Sequence, residues 1–140
     1  MSATERDTAA SPPEPLNMIA LIAFLLLGFM VILLRVRKFP TLYEFVRRCP
    51  VRMRFYSSKT ANAEQIISAV RQASIWLPVR TMCLVYSAAQ VVLLRNHAVP
   101  ADLVIGVKLR PFEGHAWVES KGEVLGSKVD KRLYVVLDRF

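Results

Sequence analysis

The hydrophobic positions change period along the chain, and each change marks an element. From Leu16 to Leu34 there is no period: nineteen residues run without a charge, with Asn17 the one strongly polar side chain. That predicts a helix apolar on every face, long enough to cross a bilayer. From Phe39 to Arg48 the pattern becomes amphipathic. Leu42, Phe45 and Val46 share one side, and Glu44, Arg47 and Arg48 the other. A further helix is expected over Ser57 to Ser74, capped by Thr60 or Asn62, with Asn62 and Gln65 placed as a capping box. Its core stripe is Ile66, Ile67, Val70 and Ala73, and Trp76 just beyond it is expected in the core. Pro78 suits a first helical turn, where the amide proton it lacks has no partner to lose. The next helix is then expected from Val79 to about Arg95, with Val79, Met82, Tyr86, Ala89 and Leu93 on its buried face.

Beyond Asn96 and His97 the period drops towards that of strands. Asp102 to Leu109 is rich in Val, Ile and Leu and contains Gly106. Arg110 to Gly114 carries Pro, Phe and Gly and is expected as a hairpin turn. His115 to Ser120 alternates, with His115, Trp117 and Glu119 on one face and Ala116 and Val118 on the other. Lys121 and Gly122 make a turn into a strand over Glu123 to Leu125, and Leu133 to Leu137 is the last strand. The pattern predicts an α+β domain: helices on a small antiparallel sheet, preceded by an apolar helix.

Charge divides the chain further. The net charge of +8 is concentrated between Arg35 and Arg54, where Arg35, Arg37, Lys38, Arg47, Arg48, Arg52 and Arg54 face Glu44 alone. Cations directly after an apolar helix and acids before it predict that the C-terminal side stays in the cytoplasm. The same pattern suits a helix lying on the domain or on the membrane surface, with its cations towards anionic headgroups. Met1 to Pro15, small and polar with three prolines, is expected to be a disordered tail. The division is thus a tail over 1–15, an apolar segment expected to meet the membrane over 16–34, and a domain over 35–140. No nucleic-acid module accompanies the basic cluster. The two histidines and two cysteines are scattered, so no metal site is expected, and no glycine-rich phosphate loop calls for a nucleotide.

The candidate chemistry lies between Pro78 and Ser120. Cys83 falls near the start of its helix, where the helix dipole attracts negative charge. His115 lies on a strand that the helix packs across. That is the nucleophile-and-base pairing of covalent catalysis by cysteine. Spacing alone does not separate this pair from an inert buried cysteine and a hydrogen-bonded strand histidine. Cys49, next to Arg48 and Pro50, has no histidine placed for catalysis and is read as structural. His97 sits at the wrong end of the helix to serve Cys83.

Three strings taken together change the picture: L-P-V-R-T-M-C-L-V-Y-S-A-A around Cys83, V-P-A-D-L-V-I-G-V, and G-H-A-W-V-E-S-K-G-E-V-L-G around His115. They resemble the lasso-peptide B2 proteins, which are leader peptidases similar to the C-terminal domain of the microcin J25-processing B protein. The resemblance is densest over 61–140. It implies a transglutaminase-like, papain-type cysteine peptidase domain with a Cys-His-acid triad. Cys83 and His115 carry over. The family's acidic position falls on Ser127, so the third member is expected to be Asp130, with Glu123 second and Glu119 a further candidate by pattern. The implied activity is removal of the leader from a ribosomally made lasso-peptide precursor. The rivals are a decayed, membrane-anchored scaffold of the maturation complex and a transglutaminase-type acyl transferase. The implied partners are the precursor peptide, a small leader-recognition protein and an asparagine-synthetase-like macrolactam cyclase. No cofactor is implied for this chain. The expected location is the inner membrane with the catalytic domain in the cytoplasm, or else the cytoplasm itself.

Overall fold

The computed structural model describes residues 15–37, 39–50, 62–77 and 83–140. The tail expected over Met1 to Pro15 lies outside these as far as residue 14. So do Lys38, Arg52, Arg54, the helix start expected at Ser57, the Thr60 cap, and Pro78, Val79 and Met82.

Four helices precede the sheet: α1 (Pro15–Arg37), α2 (Phe39–Arg48), α3 (Ala63–Trp76) and α4 (Cys83–Asn96). The strands are β1 (Asp102–Leu109), β2 (Phe112–Ser120), β3 (Glu123–Leu125) and β4 (Val135–Arg139), with a 3-10 turn over Lys131–Leu133. The sheet is antiparallel, in the order β3-β2-β1-β4.

Several boundaries differ from the sequence reading. The β1–β2 turn is only Arg110 and Pro111, so Phe112 to Gly114 already belong to a strand. The last strand starts at Val135, because Asp130 caps the 3-10 turn that takes up Lys131 to Leu133. Trp76, expected in the core, is 75% exposed. The stripe of Ile66, Val70 and Ala73 passes to Leu77, which packs against the core and leaves Trp76 on the outer side of the last turn. Phe45, expected beside Leu42 and Val46, is also exposed, and its ring meets that of Phe29 on α1 at 5.7 Å.

Other features follow the pattern. The Asn62 backbone N–H donates to Gln65 Oε1 at 3.1 Å, the return half of a capping box. Lys121 and Gly122 both take positive φ in the β2–β3 turn, the left-handed conformation that suits glycine. The alternation of β2 separates two faces. Ala116 and Val118 join the core under α4, with Leu103, Val85 and Ala88. Trp117 and Glu119 are buried on the opposite face, outside that cluster. Helix α1 is part of the same core: Ala23, Leu27 and Met30 are fully buried against α3 and α4. The 16–34 segment and the domain that follows it therefore share one interior.

Candidate active site

Helix α4 is pinned to the sheet at two places. The Ser87 hydroxyl donates to the Ala116 carbonyl at 3.0 Å, and both residues are buried. At the other end, buried Arg95 donates from Nε to the Ala101 carbonyl and from Nη1 to the Val46 carbonyl, each at 2.8 Å. Its Nη2 lies 3.7 Å from Asp102, which pairs with Glu119 across the β1–β2 ladder. From Ser87 to Arg95 the helix advances about 12 Å. From Ala116 to Glu119 the strand covers about 10 Å. Helix α4 therefore runs parallel to β2. One more turn towards its start, about 6 Å, brings Cys83 level with Gly114 and His115.

Cys83 opens the described helix, half-buried and packed against the core. His115 shares the level of Cys83 but not the face of α4's body. Its ring stacks with Trp117 at 6.3 Å and lies tilted to Tyr134 at 5.9 Å, and Trp117 and Tyr134 meet at 5.6 Å. Among the described residues no hydrogen bond joins Cys83 to His115. At Gly114, next to His115 on β2, an added Cβ would meet no atom within 4 Å.

The aromatic group behind His115 has its own support. Gly106 on β1 pairs with His115. A Cβ there would lie 2.6 Å from Trp117 Cη2 and 3.2 Å from Tyr134 Cβ, so the indole lies across a strand position that only glycine leaves open. Trp117 Nε1 donates to Glu119 Oε1 at 2.9 Å. Glu119 is 1% exposed and pairs with Arg139 at 2.8 Å and Lys131 at 3.7 Å. Burial alone would raise its carboxyl. The Trp117 bond and the charges of Arg139 and Lys131 outweigh that and hold it below the ordinary value.

Among the described residues no hydrogen bond joins the expected acids to His115. Asp130 accepts from the Arg132 backbone N–H, Nε and Nη2 at 3.1, 3.0 and 3.1 Å. The Arg132 side chain, then its backbone amide, hold that carboxyl below its ordinary value. Glu123 pairs with Ser120, at the far end of β2 from His115, and is exposed. Ser127 is exposed on the bend after β3. Glu119 shares the His115 face, as the alternation predicts, with Trp117 between them. Sequence reasoning missed Tyr134 and Gly106. For Gly106 there was a signal, a glycine inside a strand of branched residues; for Tyr134 there was none. His97 Nδ1 donates to the Leu93 carbonyl at 2.8 Å, at the end of α4 away from Cys83.

The profile of the transglutaminase-like superfamily matches residues 24–137. The chain is also similar to the microcin J25-processing protein McjB of Escherichia coli, at 42% identity over 50 residues. That stretch is 36% of this chain and 24% of McjB, so the match spans about a quarter of the relative's length. No solved structure matches.

Proposed function

The chain belongs to the transglutaminase-like superfamily, and from that premise we propose that it is a cysteine peptidase that removes the leader from a lasso-peptide precursor. The observation that supports this reading is the Ser87–Ala116 bond, which pins α4, with Cys83 one turn before Ser87, to the strand that carries His115. The similarity to a microcin-processing protein supports the proposed substrate class.

In the proposed reaction the Cys83 thiol gives its proton to His115, and the sulfur attacks the scissile carbonyl carbon. The developing oxyanion would be held by the Cys83 backbone amide and one further donor. The carbon–nitrogen bond then breaks, and His115 hands its proton to the leaving amine. Water, activated by His115, hydrolyses the thioester and frees the thiol. An acceptor must hold the other ring nitrogen of His115. Asp130 is proposed for this, and Glu123 second. Both Asp130 oxygens already accept from Arg132, so the imidazole would share or displace that partner. That pairing is also the observation that favours a scaffold that no longer cleaves. The proposed partners are a leader-recognition protein and a macrolactam cyclase, and the proposed location is the cytoplasmic face of the inner membrane.

The test is cleavage of the precursor, read by mass spectrometry with the recognition partner present. Wild type should release the leader as a free acid, and Cys83→Ala and His115→Ala should not. Asp130→Ala and Glu123→Ala then identify the third residue. An amide-linked product would indicate acyl transfer. A folded, partner-bound wild type that leaves the precursor intact would point to the scaffold.

A further inference from the structure

We infer that α1 and α2 seat this protein in the plane of an anionic lipid bilayer rather than across it; the inference rests on the membrane location proposed above and specifies its geometry. Helix α1 is long and apolar enough to span a bilayer. Its sides are unequal, however. Ala23, Leu27 and Met30 are buried in the domain core against α3 and α4. Leu21, Leu25, Phe29, Ile32 and Val36 are all exposed. These recur at helical spacing and form one continuous apolar stripe, about 22 Å long. A stripe of that length on a water-facing surface marks something that covers it.

The core contacts argue against a span. Crossing the bilayer would pull α3 and α4 along with α1, and with them Glu64, Arg71 and Gln72 on the exposed side of α3. Charges at that depth are strongly disfavoured. Lying flat leaves every core contact in place and sinks only the stripe, the arrangement of an interfacial helix.

Charge identifies the covering surface. The Phe29–Phe45 contact folds α2 back beside α1, so exposed Phe45 widens the stripe. Exposed Arg48 then flanks it, with Arg35 and Arg37 at its end. Between residues 15 and 48 Glu44 is the sole acid, and it is paired with Arg48 at 3.2 Å. An apolar stripe with a cationic border and no directional polar groups matches acyl chains below anionic headgroups. A protein partner would ordinarily meet a rim of mixed polar groups.

The test uses the purified full chain in flotation with phosphatidylcholine vesicles, with and without phosphatidylglycerol. Wild type should float only with the anionic vesicles and should be released by high salt. Leu25→Asp/Ile32→Asp and Arg35→Gln/Arg37→Gln should each reduce the bound fraction about tenfold or more. Their thermal melts and precursor cleavage should match wild type, since none of these side chains is buried or catalytic. In cells, an epitope tag ahead of α1 should be reached by protease from the same side as the C-terminal domain. A tag on the opposite side would overturn in-plane seating while leaving membrane location intact. Failure of wild type to float on any vesicle would overturn the lipid inference and the location together, and cleavage would be unaffected either way. The lipid inference also falls if the variants lose a protein partner while keeping their hold on the vesicles.

Discussion

The side chains that hold His115 are mostly not catalytic groups. Its ring rests on Trp117 and Tyr134, and the indole fits only because residue 106 has no side chain. Gly106→Ala puts a methyl group 2.6 Å from Trp117 Cη2, and the indole must move. We expect a loss of about 1–3 kcal/mol in urea unfolding, the usual cost of overpacking. Cleavage should fall further than stability explains, because the imidazole loses its support. A variant with wild-type kcat would refute that link. Glu119 secures the other edge of the indole. Its folded carboxyl value is depressed, so its stabilisation is full above the ordinary carboxylate value and disappears as pH falls through the folded value. Glu119→Gln should therefore lower stability at pH 7 by about 1–3 kcal/mol. The gap to wild type should close on acidification. Denaturant midpoints across that range would check it, and a gap independent of pH would mean that the charge is not what Glu119 contributes.

Among the elements, α4 does most to set the site. Ser87 and Arg95 fix its position and direction on β2, so Cys83 is placed by bonds made one turn or more away. Ser87→Ala leaves the buried Ala116 carbonyl without its donor. A loss of about 1–2 kcal/mol in stability is expected. In cleavage kinetics kcat should drop with KM nearly unchanged, because the thiol shifts while the substrate surface does not. Equal changes in both would place Ser87 in substrate binding instead. Much of this element level was legible in the sequence. The amphipathic period gave α2 at its observed limits, and the alternation of His115 to Glu119 assigned both faces of β2. The pairing of the candidate acids was not legible. An aspartate's candidacy by position says nothing about a neighbouring arginine, and Arg132 donates three hydrogen bonds to Asp130. Nor does local pattern tell whether a tryptophan just past a helical stripe turns inward, and Trp76 does not.

At the scale of the whole molecule, composition and packing give α1 two meanings. Its uniform apolarity reads as a membrane segment, yet the family match begins at residue 24, inside the helix, and one stripe of it closes the core. A detachable anchor and a core helix respond differently to mutation. Leu25 and Leu27 are two positions apart, one exposed and one fully buried. Leu27→Ala should cost about 2–5 kcal/mol in denaturant unfolding, and Leu25→Ala about 0.5 kcal/mol or less. Removing residues 1–38 should abolish the cooperative transition and leave an aggregating chain, since Ile66, Val70 and Ala88 would lose the wall that α1 supplies. If the shortened chain instead melts cooperatively and near the wild-type temperature, α1 is an appendage and its buried stripe contributes little. A core role would also explain why one helix carries both the driving force for folding and the surface that meets the lipid. Its inner stripe is satisfied by α3 and α4, so only the outer one is left to seek an apolar phase, and folding comes before docking.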